Sequence, residues 1–111
     1  MQYNIDYTAE AQRDLDGIWD HIASEFQNTS AANSIVNRIM DDVDQLETFP
    51  ELGPLLSSIA DTTRSLRFLT TGNYITFYCI LGSEIRIERI LYGRRDYLAC
   101  LFGKSLPREN S

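Results

Sequence analysis

Residues 66–92 read LRFLTTGNYITFYCILGSEIRIERILY, and this stretch decides the fold. Apolar and β-branched residues alternate with a period of two. Two short turn signals, Thr71-Gly72-Asn73 and Gly82-Ser83, cut the run into three segments. The reading is a meander of three antiparallel strands, Ser65–Thr70, Tyr74–Leu81 and Glu84–Tyr92. In the middle strand Tyr74, Thr76, Tyr78 and Ile80 share one face, while Ile75, Phe77, Cys79 and Leu81 share the other. Neither face suits bulk water, so both need cover.

Upstream, the period changes. Gln2 to Tyr7 alternates, with Tyr3, Ile5 and Tyr7 apolar, as a short half-buried strand does. Thr8 can cap a helix in which Ala11, Leu15, Ile18, Trp19, Ile22 and Phe26 recur at three- and four-residue spacing. The polar break QNTS offers Thr29 or Ser30 as the next cap. Ala32, Ile35, Val36, Ile39, Val43 and Leu46 continue the spacing until Phe49-Pro50 stops it. Two helices joined by so short a break form an antiparallel hairpin. PELGP, residues 50–54, is a breaker cluster, and residues 55–63 read as loop.

The fold class is therefore α+β: an N-terminal strand, a two-helix antiparallel hairpin and a three-stranded antiparallel meander, ending in a short C-terminal helix or tail. The hairpin covers one face of the sheet. The other is expected to meet RDYLACLFGK, residues 95–104, with Tyr97, Leu98, Leu101 and Phe102 apolar, or a partner chain. A chain of 111 residues, 43% hydrophobic, supports one core. Residues 1–103 are taken as a single domain and 104–111 as a flexible tail.

Net charge is −6, but it is divided unevenly. Residues 1–63 carry two arginines against twelve acids, a balance of −10, and residues 64–111 carry eight basic residues against four acids, a balance of +4. The total disfavours a general nucleic-acid binder, while the asymmetry fits either a polar partner or an acidic, solvated helix layer. No apolar run reaches the roughly 20 residues of a membrane span, and the first residues lack the basic-then-apolar pattern of a leader, so a cytoplasmic protein is expected. Cys79 and Cys100 lie far apart in apolar runs, as two buried free thiols would; no metal-ligand spacing is present.

In this order and at these separations, AQRDLDGIWDHI in the first helix, LETFPELGP at the end of the second, LRFLTTGNYITFYCI and the final IRIERILYGRRDYLACLF resemble the RelE/ParE toxin superfamily of bacterial toxin–antitoxin modules. The likeness spans nearly the whole chain. It implies a small toxin held inactive by a cognate antitoxin in a hetero-oligomeric complex, needing no cofactor and touching DNA only through the antitoxin. RelE-like members cut messenger RNA on the ribosome, whereas ParE-like members poison DNA gyrase, and fold alone does not choose between them. An inert member that only pairs with its antitoxin is a third reading.

Cleavage through a 2′-hydroxyl needs a proton acceptor, cations for the phosphate and an acid for the leaving oxygen. His21, the sole histidine, reads as a solvated residue of the first helix. Where many relatives carry histidine this chain has Tyr92, and where RelE-like nucleases follow the middle-strand tyrosine with a phosphate-holding arginine, Tyr74 is followed by Ile75. Tyrosine and arginine are weak bases at neutral pH. These departures and the acidic total favour the ParE-like branch over the nuclease. The binding candidates for target or antitoxin are Arg67, Tyr74, Arg89, Tyr92, Arg94, Arg95, Tyr97 and Phe102; if the chain is a nuclease, Tyr92, Arg67 and Arg94 are the catalytic candidates. Each arginine has an ordinary alternative in strand or turn pairing, and Tyr92 one as a packed aromatic.

Overall fold

The computed structural model describes residues 2–56 and 65–93. Strand β1 (Asn4–Tyr7) leads into helix α1 (Ala9–Glu25) and helix α2 (Thr29–Asp44), which runs on into a 3-10 turn (Gln45–Glu47). Strands β2 (Arg67–Thr71), β3 (Tyr74–Leu81) and β4 (Glu84–Tyr92) follow. The sheet order is β1-β4-β3-β2. The meander is antiparallel as the sequence implies, and β1 adds to its far edge parallel to β4. A parallel neighbour needs a long return path, which the helical hairpin and the first two meander strands supply. The expected C-terminal helix and tail, residues 57–64, Cys100 and the candidates Arg94, Arg95, Tyr97 and Phe102 lie outside the described residues.

Local chemistry sets the boundaries. The Thr8 hydroxyl accepts from the Ala11 amide at 3.0 Å, the expected cap, and also donates to the Glu88 carbonyl at 2.9 Å, tying the start of α1 to β4. Helix α2 is capped not by Thr29 or Ser30 but by Asn28, whose side chain accepts from Ala31 N at 3.0 Å. The chain turns sharply at Gln27, with φ +48°, so the extended residue ahead of the helix is Asn28, a cap as good as serine. Phe26 leaves the core stripe for the same reason: it ends α1 and is 67% exposed. Both hairpins place glycine at positive φ, Gly72 at +58° and Gly82 at +61°. A two-residue turn at Gly72-Asn73 lets Thr71 pair with Tyr74, so β2 occupies Arg67–Thr71 rather than Ser65–Thr70.

Each face of the sheet carries its own apolar cluster. Under the helices, Leu15, Ile18, Ile22, Ile39, Val43 and Leu46 meet Tyr78, Ile85, Ile87 and Ile90. On the outer face Phe77, Leu91, Leu66 and Leu56 are buried together, with Phe68, Ile75 and half-buried Cys79 against them. Leu55 and Leu56, which read as loop, bridge to the β2 edge at Arg67 and fill the outer cluster, respectively. A bulge interrupts the β3–β4 ladder between Phe77 and Tyr78, so that Phe77 faces Arg89 but Tyr78 faces Ile87. The extra residue reverses facing in β4: Ile85 and Ile87 point to the helices, and after the bulge Ile90 does so while Leu91 goes to the outer cluster.

One polar group is buried deep within this apolar body. The Tyr78 hydroxyl donates to the Pro50 carbonyl at 2.8 Å and accepts from the Gly53 amide at 2.9 Å, fastening the breaker segment after α2 to the middle of the sheet. Gly53 is obligatory there, because a Cβ would collide with the backbone carbonyl oxygen of Phe68. Arg67 completes the tie, donating from Nη1 to the Gly53 carbonyl at 2.7 Å.

Tyr78→Phe leaves a buried carbonyl and amide without their partner and should cost about 2–3 kcal/mol in denaturant unfolding; Gly53→Ala should cost at least as much. Burial, and then the charge of Asp44, push the Tyr7 phenol up to about 12, and its hydroxyl has no hydrogen-bond partner among the described residues. A phenol whose pKa is raised on folding contributes stability that is intact below the unfolded value of about 10 and is lost as pH rises towards 12. Tyr7→Phe should therefore flatten part of the alkaline loss of stability, without cost at pH 7, in thermal melts taken from pH 8 to 12.

Candidate binding groove

A groove of about 1040 Å³ opens where α1 from Arg13 onward, the start of α2, the start of β3 and the end of β4 converge. Its apolar wall comes from Ile18, Ile22, Ile35 and Ile90, with exposed Phe26 at the mouth. Its polar wall comes from Arg13, Asp14, His21, Asn28 and Asn73, and the paired rings of Tyr74 and Tyr92 stand between the two. These rings meet edge to face with centroids 5.7 Å apart and planes inclined at 62°. They can do so because Tyr74 and Tyr92 are direct cross-strand partners: Tyr74 shares the helix-side face of β3 with Tyr78, and the bulge in β4 turns Tyr92 to the same side. Burial, and then the neighbouring Tyr92, raise the Tyr74 phenol, so at neutral pH it is a hydrogen-bond donor and not a base.

Asp14 frames one side of the groove. Strand β1 accompanies β4 only as far as Tyr7 and Ile87, and α1 then takes over that edge. The Asp14 carboxylate accepts from Arg89 Nε at 2.8 Å, from Arg89 Nη2 at 3.0 Å and from the Ile90 amide at 2.9 Å. A two-pronged guanidinium bond combined with a backbone amide is the strong form of a carboxylate contact, and both side chains are largely shielded, at 25% and 14% exposed.

The candidates named from sequence therefore separate. Tyr74 and Tyr92 come together in the groove. Arg67 lies on β2, bonded to Gly53, and Arg89 is bonded to Asp14 beside the groove. Sequence reasoning missed Arg13 and set His21 aside, yet both line the groove. The available signal was their placement on α1: Arg13, Gly17 and His21 repeat at four-residue spacing and form one stripe beside the core stripe. Gly17 has no heavy atom within 4 Å of its would-be Cβ, so the stripe is open at its centre. Among the described residues no group of histidine, cysteine, aspartate and glutamate could hold a metal ion, and no helix is long and apolar enough to cross a membrane. Chemically the groove offers apolar area, two phenols, an imidazole and a guanidinium, a set complementary to an amphipathic segment with acidic flanks.

Because Asp14 holds a guanidinium and an edge amide together, its loss strands both. Asp14→Ala should cost about 2 kcal/mol in equilibrium unfolding, and Asp14→Asn less, since an amide oxygen still accepts from Ile90.

Comparison with known proteins gives this surface its context. Residues 5–97 match the family model for the ParE toxin of the type II toxin–antitoxin system parDE. The chromosomal ParDE toxin–antitoxin system from P. aeruginosa contains a chain with the same fold, at a TM-score of 0.69 and 26% identity over 82% of this chain and 96% of that one. The RelBE2 toxin–antitoxin complex from Mycobacterium tuberculosis shares the fold more distantly, with a TM-score of 0.54 and 19% identity over 83% of this chain and 99% of that one. A search of the curated proteins gave no match. A family match over most of the chain, and a sheet and helical hairpin that superpose on a ParDE protein, make this chain a member of the ParE toxin family of type II toxin–antitoxin systems.

Proposed function

We propose that this ParE-family toxin acts in the cytoplasm by binding DNA gyrase, and that its cognate antitoxin silences it by laying an amphipathic helix into the groove beside Tyr74 and Tyr92. The observation that carries the reading is where the arginines go. A phosphodiester-cleaving site needs cations aimed at the reacting phosphate. In this chain Arg67 is spent on the Gly53 carbonyl and Arg89 on Asp14, while the position after Tyr74 is Ile75. The groove keeps a mostly apolar wall and a protonated phenol, which suit docking better than proton transfer. Net charge −6 opposes close approach to ribosomal phosphates and leaves a protein target unhindered. Arg94, Arg95, Tyr97 and Phe102, outside the described residues, are proposed to extend this binding edge.

A second reading, ribosome-dependent cleavage of messenger RNA, draws on one observation: His21 and Arg13 line the same groove as the two tyrosines. Tyr92→Phe and His21→Ala separate the two. The freed toxin should inhibit supercoiling by purified gyrase, and both variants should keep that inhibition within a few-fold, whereas a nuclease using either group for proton transfer should lose about 10²–10⁴-fold in rate. Codon-periodic cuts in ribosome-bound messages, abolished by Tyr92→Phe, would replace the gyrase reading with the nuclease. For the antitoxin, Phe26→Ser at the groove mouth should leave unfolding unchanged and weaken antitoxin binding by at least about tenfold in titration calorimetry.

A further inference from the structure

The end of α2 opposite the groove carries a feature that the groove does not explain. Phe49 and Leu52, 61% and 47% exposed, stand on one tight turn closed by the Leu52 amide donating to the Phe49 carbonyl at 3.0 Å. With Thr48, Pro50 and Glu51 they line a shallow concavity of about 400 Å³. A single exposed apolar side chain is ordinary, but this pair stands on a backbone tied down on several sides. The Phe49 amide donates to the Gln45 carbonyl, the Tyr3 amide to the Glu47 carbonyl, and the Phe68 amide to the Pro54 carbonyl. Tyr78 and Arg67 fix Pro50 and Gly53 from beneath. A segment whose backbone is already fixed has no loop to order on binding, so less conformational freedom is lost.

The surrounding charge is of one sign. The last turn of α2 holds Asp41, Asp42 and Asp44 and no basic residue, at the helix end where the macrodipole disfavours acids. Asp42 is bonded to the Thr71 hydroxyl, and exposed Asp41, Asp44 and Glu51, with half-buried Glu47, surround the turn. Such a rim repels nucleic acid and anionic bilayers and matches a protein surface of opposite charge. The turn also lies far from the groove. Asn28, Ala31 and Ile35 at the start of α2 line the groove, and the helix rises roughly 24 Å over its length before the turn begins.

Building on the toxin reading, we propose that Phe49 and Leu52 form a second docking epitope, which inserts into an apolar pocket rimmed by lysine or arginine on the protein that the toxin acts on. The epitope is separate from the antitoxin groove in position and opposite to it in charge preference: Arg13 and His21 border the groove, and carboxylates border the turn.

The test combines growth arrest, on expression without the antitoxin gene, with calorimetric titration of the purified cognate antitoxin. Two variants are compared with the unmodified chain: Phe49→Ser with Leu52→Ser, and the charge reversal Glu47→Lys with Glu51→Lys. Both should need at least about tenfold more protein for equal growth arrest, with antitoxin affinity held within about twofold. If the serine variant unfolds in thermal melts, the charge reversal decides. Undiminished arrest by the folded variants would overturn the proposal alone. Antitoxin affinity falling in step with arrest would overturn it too, by assigning the turn to the antitoxin. Absence of arrest by the unmodified chain would overturn the toxin reading and this epitope together.

Discussion

A phenol hydroxyl in the middle of the sheet links the two halves of this protein. Tyr78 is fully buried among apolar groups, where a polar atom without partners gives up its hydrogen bonds to water with nothing in return. The chain after α2 must therefore deliver one carbonyl and one amide to it, from Pro50 and Gly53. That requirement fixes where the helical layer ends, which residue must lack a side chain, and where Arg67 finds its acceptor. Once the segment is fixed, Leu55 and Leu56 can reach the β2 edge and close the outer cluster. The helix-side and outer clusters share no side chain, and the segment held by this oxygen adds a tie between them beyond the sheet they both use.

Asp14 does comparable work at the opposite corner. Where β1 gives out, a helical carboxylate takes the place of a strand and satisfies the next edge amide of β4. Arg89 shares that carboxylate, so its charge is neutralised within the fold and not displayed. The groove is what remains between α1, α2 and the strand ends once this corner is closed: apolar along one wall, aromatic in the middle and polar at the rim. In the proposed reading, this corner is the surface that meets a partner bringing apolar anchors first and charges second.

Much of this was legible in the sequence. The period of two through residues 66–92 gave the meander, and β3 and β4 begin and end where the glycine turns placed them. The helical stripes identified Ile18, Ile22, Ile39 and Leu46 as core. What escaped depended on long-range partners. Nothing local distinguishes Arg67 or Arg89 as an arginine bonded within the fold, because their acceptors, Gly53 and Asp14, lie 14 and 75 residues away. His21 looked solvated because its own helix face is polar; its neighbours in the groove come from strands about 50 residues and more downstream. One missed feature did leave a local trace: the spacing from Ile85 to Ile87 to Ile90 steps by two and then by three, the signature of the bulge.

That extra residue in β4 acts as a frame marker for everything after it. Under strict alternation, Tyr92 would share the outer face with Phe77 and Leu91 would point toward the helices; one inserted residue exchanges them. The side chain offered to a partner at this position is thus determined by count as much as by kind. Within this architecture, closing the bulge at Glu88 with the sequence unchanged would set Leu91 opposite Tyr74 and replace an aromatic hydroxyl at the groove with a leucine, without altering the identity of either. Aligning relatives by residue type alone, without counting through the bulge, would then pair positions that lie on opposite sides of the sheet.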